Sequence, residues 1–367
     1  MKGIIVILAL AAAVMIILCC VPAFGANTYL RRTRAYSSPN YRRGKFVNLK
    51  PARKQSGGNL VGALLSGRLK RHPHYRPKHP LRVDRLDKSC LHTGQRSQVI
   101  WLGHSTLLLQ MAGKLLLLDP MLGRIASPLP PLGSHRFSRT LPIHTKDLPF
   151  LDAVLVSHDH YDHLDYGTIK KLSNRVGQFF VPLGVGSHLE RWGIPREKIR
   201  ECDWWDEVEY GPLRFCCTPA RHFSGRTLND RNSTLWCSWA IIGPEARIFF
   251  SGDGGYGPHF KMIGDKYGPF DLTLMECGQY NELWSAIHMM PEQTVAAHMD
   301  LRGRVLLPIH WAAFTLAPHS WTDPIERATR AAARNNQQVT TPRIGQPVII
   351  GDPDYPRSAW WREYLPR

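Results

Sequence analysis

The chain has 367 residues, 47 Lys plus Arg against 29 Asp plus Glu for a formal net charge of +18, and 43% hydrophobic residues. With a mean hydropathy of −0.25 and eight cysteines, it is not a polytopic membrane protein, a wholly disordered chain or a small disulfide-stapled domain; its length suffices for one large domain or two ordinary ones. The charge is localised: residues 27–90 carry 17 Lys plus Arg and only two acids, Asp84 and Asp87, whereas 91–367 are nearly neutral.

In chain order, Ile4 to Val21 comes first, an unbroken apolar run of 18 residues preceded only by Lys2 and the terminal amine. That length lies near the lower limit for a bilayer span and above the usual core of a secretory signal, so 1–26 reads as a transmembrane anchor. The small residues in Pro22-Ala23-Phe24-Gly25 leave a cleaved signal peptide as the alternative, and Leu18 argues against lipid modification at Cys19 or Cys20. Arg31, Arg32 and Arg34 would hold the body of an anchored chain in the cytoplasm, while cleavage would place it outside the cytoplasmic membrane, in a periplasm. Residues 27–57 lack apolar periodicity and read as a mobile linker. Asn59 to Lys70 reads as a short amphipathic helix packed on the main domain, or alternatively lying on lipid. The Pro- and His-rich 71–80 reads as an extended connector. Together 27–90 form a basic arm suited to an anionic membrane surface.

From about residue 97 short apolar runs alternate with turns. Strands are expected at Gln98–Leu102, Thr106–Met111, Lys114–Asp119, Ala153–Ser157, Leu213–Thr218, Trp236–Ile242, Arg247–Ser251, Leu272–Glu276, Val305–Pro308 and Val348–Ile350. Helices are expected at Tyr166–Leu172, Val185–Trp192, Pro291–Met299 and Pro324–Arg334. Such a series implies helix-covered sheets in a layered α/β domain over 91–355, followed by a C-terminal tail, 356–367. Cys90, Cys202, Cys216, Cys217, Cys237 and Cys277 form no CxxC pair and read as buried thiols.

The chemistry concentrates in Ser157-His158-Asp159-His160-Tyr161-Asp162-His163-Leu164-Asp165, after the strand-like Val154-Leu155-Val156. Three imidazoles and three carboxylates in eight residues would be costly without an ion, and alternation directs His158 and His160 to one side of an extended backbone. His and Asp are ligands for zinc, with iron or manganese also accepted, and the spacing can serve two metals.

This motif is similar to the signature of the metallo-β-lactamase superfamily. The resemblance continues in order through Trp101-Leu102-Gly103-His104-Ser105-Thr106, Leu118-Asp119-Pro120, Pro219-Ala220-Arg221-His222-Phe223-Ser224, Ser251-Gly252-Asp253 and Pro308-Ile309-His310-Trp311. It covers about residues 60–350 and looks most like the branch containing N-acyl-phosphatidylethanolamine-hydrolysing phospholipase D and its bacterial relatives. The resemblance implies a four-layer αββα sandwich preceded by the apolar span and basic arm. It implies that His158, His160 and His222 hold one zinc ion, that Asp162, His163 and His310 hold a second, and that Asp253 bridges them. Two such ions share and acidify a water for hydrolysis. Asp119 is expected to orient a ligand histidine, or alternatively only to form the turn before Pro120. His288, in Ser285-Ala286-Ile287-His288, is expected beside the metals in contact with the scissile group. His104, His135, His144, His259, His298 and His319 read as ordinary polar side chains, with a place in the lining of the pocket as the alternative for His104, which nothing in its spacing shows.

The function expected is a membrane-associated dinuclear zinc hydrolase cleaving a phosphodiester in a phospholipid-like substrate, a phospholipase D-type reaction on an N-acyl-phosphatidylethanolamine. The alternative is a metal-dependent hydrolase of a soluble substrate: a sugar-phosphate lactone, or a cyclic or nucleic-acid phosphodiester. A non-enzymatic envelope protein with a structural metal is the third reading. No nucleic-acid module accompanies the basic arm, so nucleic acid is not the expected partner, and the sequence leaves the oligomeric state open, a dimer included.

Overall fold

A computed structural model describes residues 21–26, 36–49, 71–87, 91, 96–129, 131, 133–227 and 229–365. The apolar run up to residue 20, the stretch 27–35 and the amphipathic segment 59–70 lie outside these residues. No helix among the described residues is long and apolar enough to cross a membrane.

The arm contributes a small hairpin, β1 (Tyr41–Arg42) and β2 (Lys45–Phe46). An antiparallel meander follows, β3 (Gln98–Trp101), β4 (Leu107–Met111) and β5 (Lys114–Leu118). After the short pair β6 (Ile125–Ala126) and β7 (Ser134–His135), the chain adds β8 (Leu151–Leu155), α1 (Tyr166–Leu172), β9 (Val176–Pro182), α2 (Gly186–Arg191) and β10 (Ile199–Cys202), with these strands parallel to β5. Another antiparallel run is β11 (Glu207–Tyr210), β12 (Leu213–Thr218), β13 (Ser238–Ile242) and β14 (Arg247–Phe250). Then α3 (His259–Tyr267), β15 (Phe270–Glu276), α4 (Pro291–Asp300), β16 (Gly303–Ile309), α5 (Asp323–Arg334) and β17 (Gln338–Val339) extend it in parallel. Finally β18 (Pro347–Ile349) returns to pair with β3. The described residues thus make two mixed seven-stranded sheets, ordered β10-β9-β8-β5-β4-β3-β18 and β11-β12-β13-β14-β15-β16-β17.

The central strands of both sheets are buried on two faces, which is why the sequence shows continuous apolar runs there. Val99, Trp101, Leu107 and Leu116 face Phe215, Trp239, Ile241 and Leu307 between the sheets. The intervening Ile100, Leu108, Leu117 and Val154 pack beneath Ile169, Leu172 and Leu189 of α1 and α2. On the far side Phe249, Met275 and Leu306 pack beneath Phe260, Val295 and Ala331 of α3, α4 and α5. Helix, sheet, sheet and helix therefore stack in the αββα order expected.

Several elements differ from the sequence reading. β10, with Arg200 and Glu201 side by side, and β11, with Glu207 and Glu209 in alternation, sit at sheet edges, where a run of apolar residues is not required. α3 runs unbroken through Gly264, a residue that weakens its helical signal in the sequence, and a Cβ there would lie 2.2 Å from the Asp300 carbonyl at the end of α4. The glycine is what lets α3 approach α4 closely. Residues 36–49, read as mobile linker, are docked: Phe46 is fully buried in the inter-sheet core, and its N–H donates to Asn232 O at 2.9 Å. The stretch read as a C-terminal tail contains a 3-10 turn, Trp360–Tyr364, whose two tryptophans are buried in that same core.

Candidate metal centre

Strand ends converge on one edge of the sandwich. The turn after β8 carries His158, His160, Asp162 and His163; those after β12, β14 and β16 carry His222, Asp253 and His310. Asp165, the last carboxylate of the motif, caps α1 by accepting from Thr168 N at 2.8 Å, so it fixes the loop's exit. Asp159 is also occupied structurally, accepting from Gly225 N at 2.8 Å and Thr234 Oγ1 at 2.9 Å.

The seven expected ligands form two adjoining clusters. In the first, His160 Nδ1 lies 2.9 Å from His158 Nε2 and 3.2 Å from His222 Nε2. In the second, Asp162 Oδ2 lies 3.5 Å from His163 Nε2 and 3.4 Å from His310 Nε2. Asp253 Oδ2 sits between them, 3.1 Å from His163 and His310 Nε2 and 4.0 Å from His158 and His222 Nε2. Ligand atoms on a tetrahedron with bonds of ~2.0–2.1 Å lie about 3.3 Å apart, which is the spacing seen here.

The far nitrogens explain this orientation. His163 Nδ1 donates to Asp119 Oδ2 at 2.6 Å, His222 Nδ1 to the Ile287 carbonyl at 2.8 Å and His310 Nδ1 to the Gly278 carbonyl at 3.3 Å. His158 Nδ1 is held at 2.8 Å by Ser157 Oγ. Each contact leaves the inward nitrogen free to present a lone pair. Asp253 Oδ1 and His163 Nε2 are buried without a hydrogen-bond partner among the described residues, a cost that coordination removes. The donor set therefore fits metal ions: His158, His160 and His222 form one group, Asp162, His163 and His310 another.

The electrostatics agree. Burial and the neighbouring imidazoles push His158 and His222 well below the ordinary histidine range, toward the neutral ligating form. Burial opposes ionisation of Asp162 and Asp253, but the adjacent histidines hold both carboxyls well below their usual range. That negative charge demands a cation; despite burial, Asp253 and Asp162 raise the His310 imidazole to about 10 and His163 also lies well above its usual value.

Asp119 lies behind the ligands rather than among them: besides His163 it accepts from Ser157 N at 2.7 Å and Ser157 Oγ at 2.6 Å. His288 stands at the rim, its Nδ1 4.0 Å from Asp253 Oδ2 and 2.8 Å from Glu276 Oε2. Three participants escape the sequence reading. Glu276, at the end of β15, is fully buried and engages His288, the Met289 N–H at 2.9 Å and the Gly254 N–H at 3.2 Å. His104 is no ordinary surface side chain: it is buried, bonds Asp162 Oδ2 at 2.9 Å through Nε2, and burial beside His310 pushes it down to about 3. Asn48, in the arm, accepts from His222 N at 3.2 Å and donates to His222 O at 3.0 Å, while Trp236 Nε1 donates to its Oδ1 at 3.1 Å. Only His104 carries a signal in the sequence, its place beside Gly103 in one of the ordered motifs; Glu276 and Asn48 have none.

Asn48 thus fixes the backbone of a ligand from outside the sandwich. Asn48→Ala is expected to weaken metal binding by ~10–100-fold, the range for losing an outer support of a ligand. Competition with a chromogenic chelator checks this, and unchanged affinity would contradict it.

Comparison with known proteins agrees with this geometry. The family model of the β-lactamase superfamily domain matches residues 115–311. An uncharacterized protein of Mycobacterium tuberculosis is 43% identical over 353 residues, covering 93% of this chain and 92% of that one. N-acyl-phosphatidylethanolamine-hydrolyzing phospholipase D 1 of Caenorhabditis elegans is 35% identical over 248 residues, covering 64% of this chain and 69% of its own. Among solved structures, the metallo hydrolase Igni18 of Ignicoccus hospitalis superposes with a TM-score of 0.54 at 20% identity, over 69% of this chain and 98% of that one. The chain belongs to the metallo-β-lactamase superfamily, and at that level it is a metal-dependent hydrolase.

Proposed function

We propose that the protein is a dinuclear zinc phosphodiesterase acting on a membrane phospholipid by a phospholipase D-type reaction. The substrate would be an N-acyl-phosphatidylethanolamine, and the products phosphatidic acid and an N-acylethanolamine. The observation that carries a two-ion reading is the position of Asp253 Oδ2, within 4.0 Å of ligand nitrogens from both clusters. Two ions held there by His158, His160, His222, Asp162, His163, His310 and Asp253 would supply an activated water and charge stabilisation at phosphorus. The protein's own groups do the rest. Asp119 and Asn48 fix ligands; Glu276 engages His288 Nδ1, which leaves Nε2 to take up the proton that the attacking water loses and pass it to the departing ethanolamine oxygen as its bond to phosphorus breaks.

The lipid assignment is supported by the similarity to the Caenorhabditis elegans phospholipase and by the basic surroundings. A cavity of about 510 Å³ is lined by Arg71, Arg76 and His135 and reaches Tyr161 of the ligand loop, and guanidinium groups such as those of Arg71 and Arg76 are suited to binding a phosphate. The basic arm would add attraction to an anionic membrane surface. Vesicles containing N-acyl-phosphatidylethanolamine, assayed for phosphatidic acid release, test the reading. Turnover of a soluble diester without lipid cleavage would transfer it to a soluble substrate.

Metal uptake is expected to release protons. His310 stands at about 10 without metal and His163 is likewise raised, so near pH 7 both must lose a proton to coordinate. Affinity therefore rises with pH and falls below neutrality, with about two protons released per chain. Calorimetry in buffers of different ionisation enthalpy measures that number; zero release would contradict the assignment of both histidines as ligands.

A further inference from the structure

The last residues of the apolar N-terminal region are built into the wall of the metal loop. Val21 to Ala26 makes a single turn, Pro22–Phe24, whose backbone is received by His188 and Trp192 at α2 and by Arg226 from a separate loop. Trp192 Nε1 donates to Pro22 O at 2.8 Å, and Arg226 Nε and Nη2 donate to Ala23 O at 3.1 and 2.7 Å. The Ala26 N–H donates to His188 Nδ1 at 3.0 Å, and His188 Nε2 faces Asp159 Oδ2 at 3.4 Å. Phe24 and Ala26 are buried, and the Phe24 ring meets Tyr161 edge-on at 6.4 Å. Gly25 has φ +74°, and a Cβ there would lie 2.2 Å from His188 Nδ1, so the turn is fitted to this slot.

Arg226 is the link to the site. It is 4% exposed, its guanidinium covers Tyr161 at 4.1 Å, and its Nη1 donates to the carbonyls of Asp159 and Leu164. One buried cation thus holds both the strap and the two ends of the ligand loop. Removing the strap would strip acceptors from Arg226 Nε and Nη2 and from Trp192 Nε1, both side chains well buried, and a buried donor left without an acceptor is costly.

A signal peptidase cutting after Gly25 would remove all of the strap except Ala26. We propose that Val21–Ala26 is instead a permanent strap of the mature protein, so that the apolar run Ile4–Val21 is retained and fastens the metal loop to a lipid bilayer. The partner is the bilayer itself. Tyr161, against which Phe24 packs, also lines the basic cavity, so the apolar run enters the fold at the wall of the site. Retention and docking are claims about this chain's N-terminus, independent of which substrate the site hydrolyses, and they are read without turnover.

The test uses the full chain expressed in a bacterial membrane and reconstituted into phosphatidylcholine–phosphatidylglycerol nanodiscs. Intact mass is expected to show the N-terminus at Met1, and hydrogen exchange to show the Gly25 and Ala26 amides protected at least ~10-fold over free chain. Gly25→Val, which cannot enter the slot, and Trp192→Phe, which lacks the indole donor, are each expected to lose that protection. A mature chain beginning at Ala26 or later would overturn the proposal. So would a retained N-terminus whose Gly25 and Ala26 amides exchange like free chain, or protection that both variants leave unchanged.

Discussion

Asp253→Ala is expected to leave a folded protein that holds at most one weakly bound metal and has lost hydrolysis on the order of 10³-fold, the scale of removing a principal electrostatic support of a transition state. The reason is positional. Asp253 Oδ2 lies 3.1 Å from His163 and His310 Nε2 and 4.0 Å from His158 and His222 Nε2, so a single deletion damages both clusters. In the metal-free protein its Oδ2 faces the raised His163 and His310 imidazoles at 3.1 Å, so its removal leaves buried positive charge unpaired or forces those rings neutral. Urea unfolding of the metal-free forms near neutral pH should therefore show the variant folded but less stable than wild type. A variant that kept two tightly bound metals, or one that failed to fold, would refute this role.

Trp360→Ala is expected to lower unfolding free energy by ~3–5 kcal/mol, as for other buried tryptophan truncations. The ring is 2% exposed, stacks on Trp311 at 5.5 Å, and its Nε1 donates to the Pro342 carbonyl at 3.1 Å. Trp311 follows the ligand His310 directly, so the cavity also opens behind the metal centre, and weaker metal retention should accompany the loss of stability. Trp361→Ala provides the comparison: Trp361 Nε1 donates to Glu326 Oε1 at 2.7 Å and contacts Trp311 edge-on at 5.6 Å. A denaturation midpoint for Trp360→Ala equal to wild type would show the C-terminal turn to be dispensable.

These two cases also show what a sequence can disclose. The ligand loop is legible because its chemistry is local: six ionisable residues crowd after an apolar strand, and the other ligands stand after runs with plain strand character. The sandwich core is legible for the same reason, since strands buried on both faces read as apolar runs. Glu276 and Asn48 are not, because each acts through contacts distant in the chain: Glu276 meets His288 12 residues on, and Asn48 meets His222 across 174. The Trp360–Trp361 pair has no periodic context to mark it as core, and 36–49 is polar and basic enough to read as linker although Phe46 plugs the inter-sheet core. α3 is hidden by the glycine its close contact with α4 requires.

Whether two metal ions share this centre and carry the hydrolysis is read from metal stoichiometry on the purified full chain, for wild type and Asp253→Ala, with hydrolysis of N-acyl-phosphatidylethanolamine vesicles and of bis-nitrophenyl phosphate followed on the same samples. Two metals per wild-type chain, with cleavage that disappears on chelation, returns on adding zinc and is absent from Asp253→Ala, is the predicted result. Fewer than one metal per chain with no turnover of either substrate would contradict it.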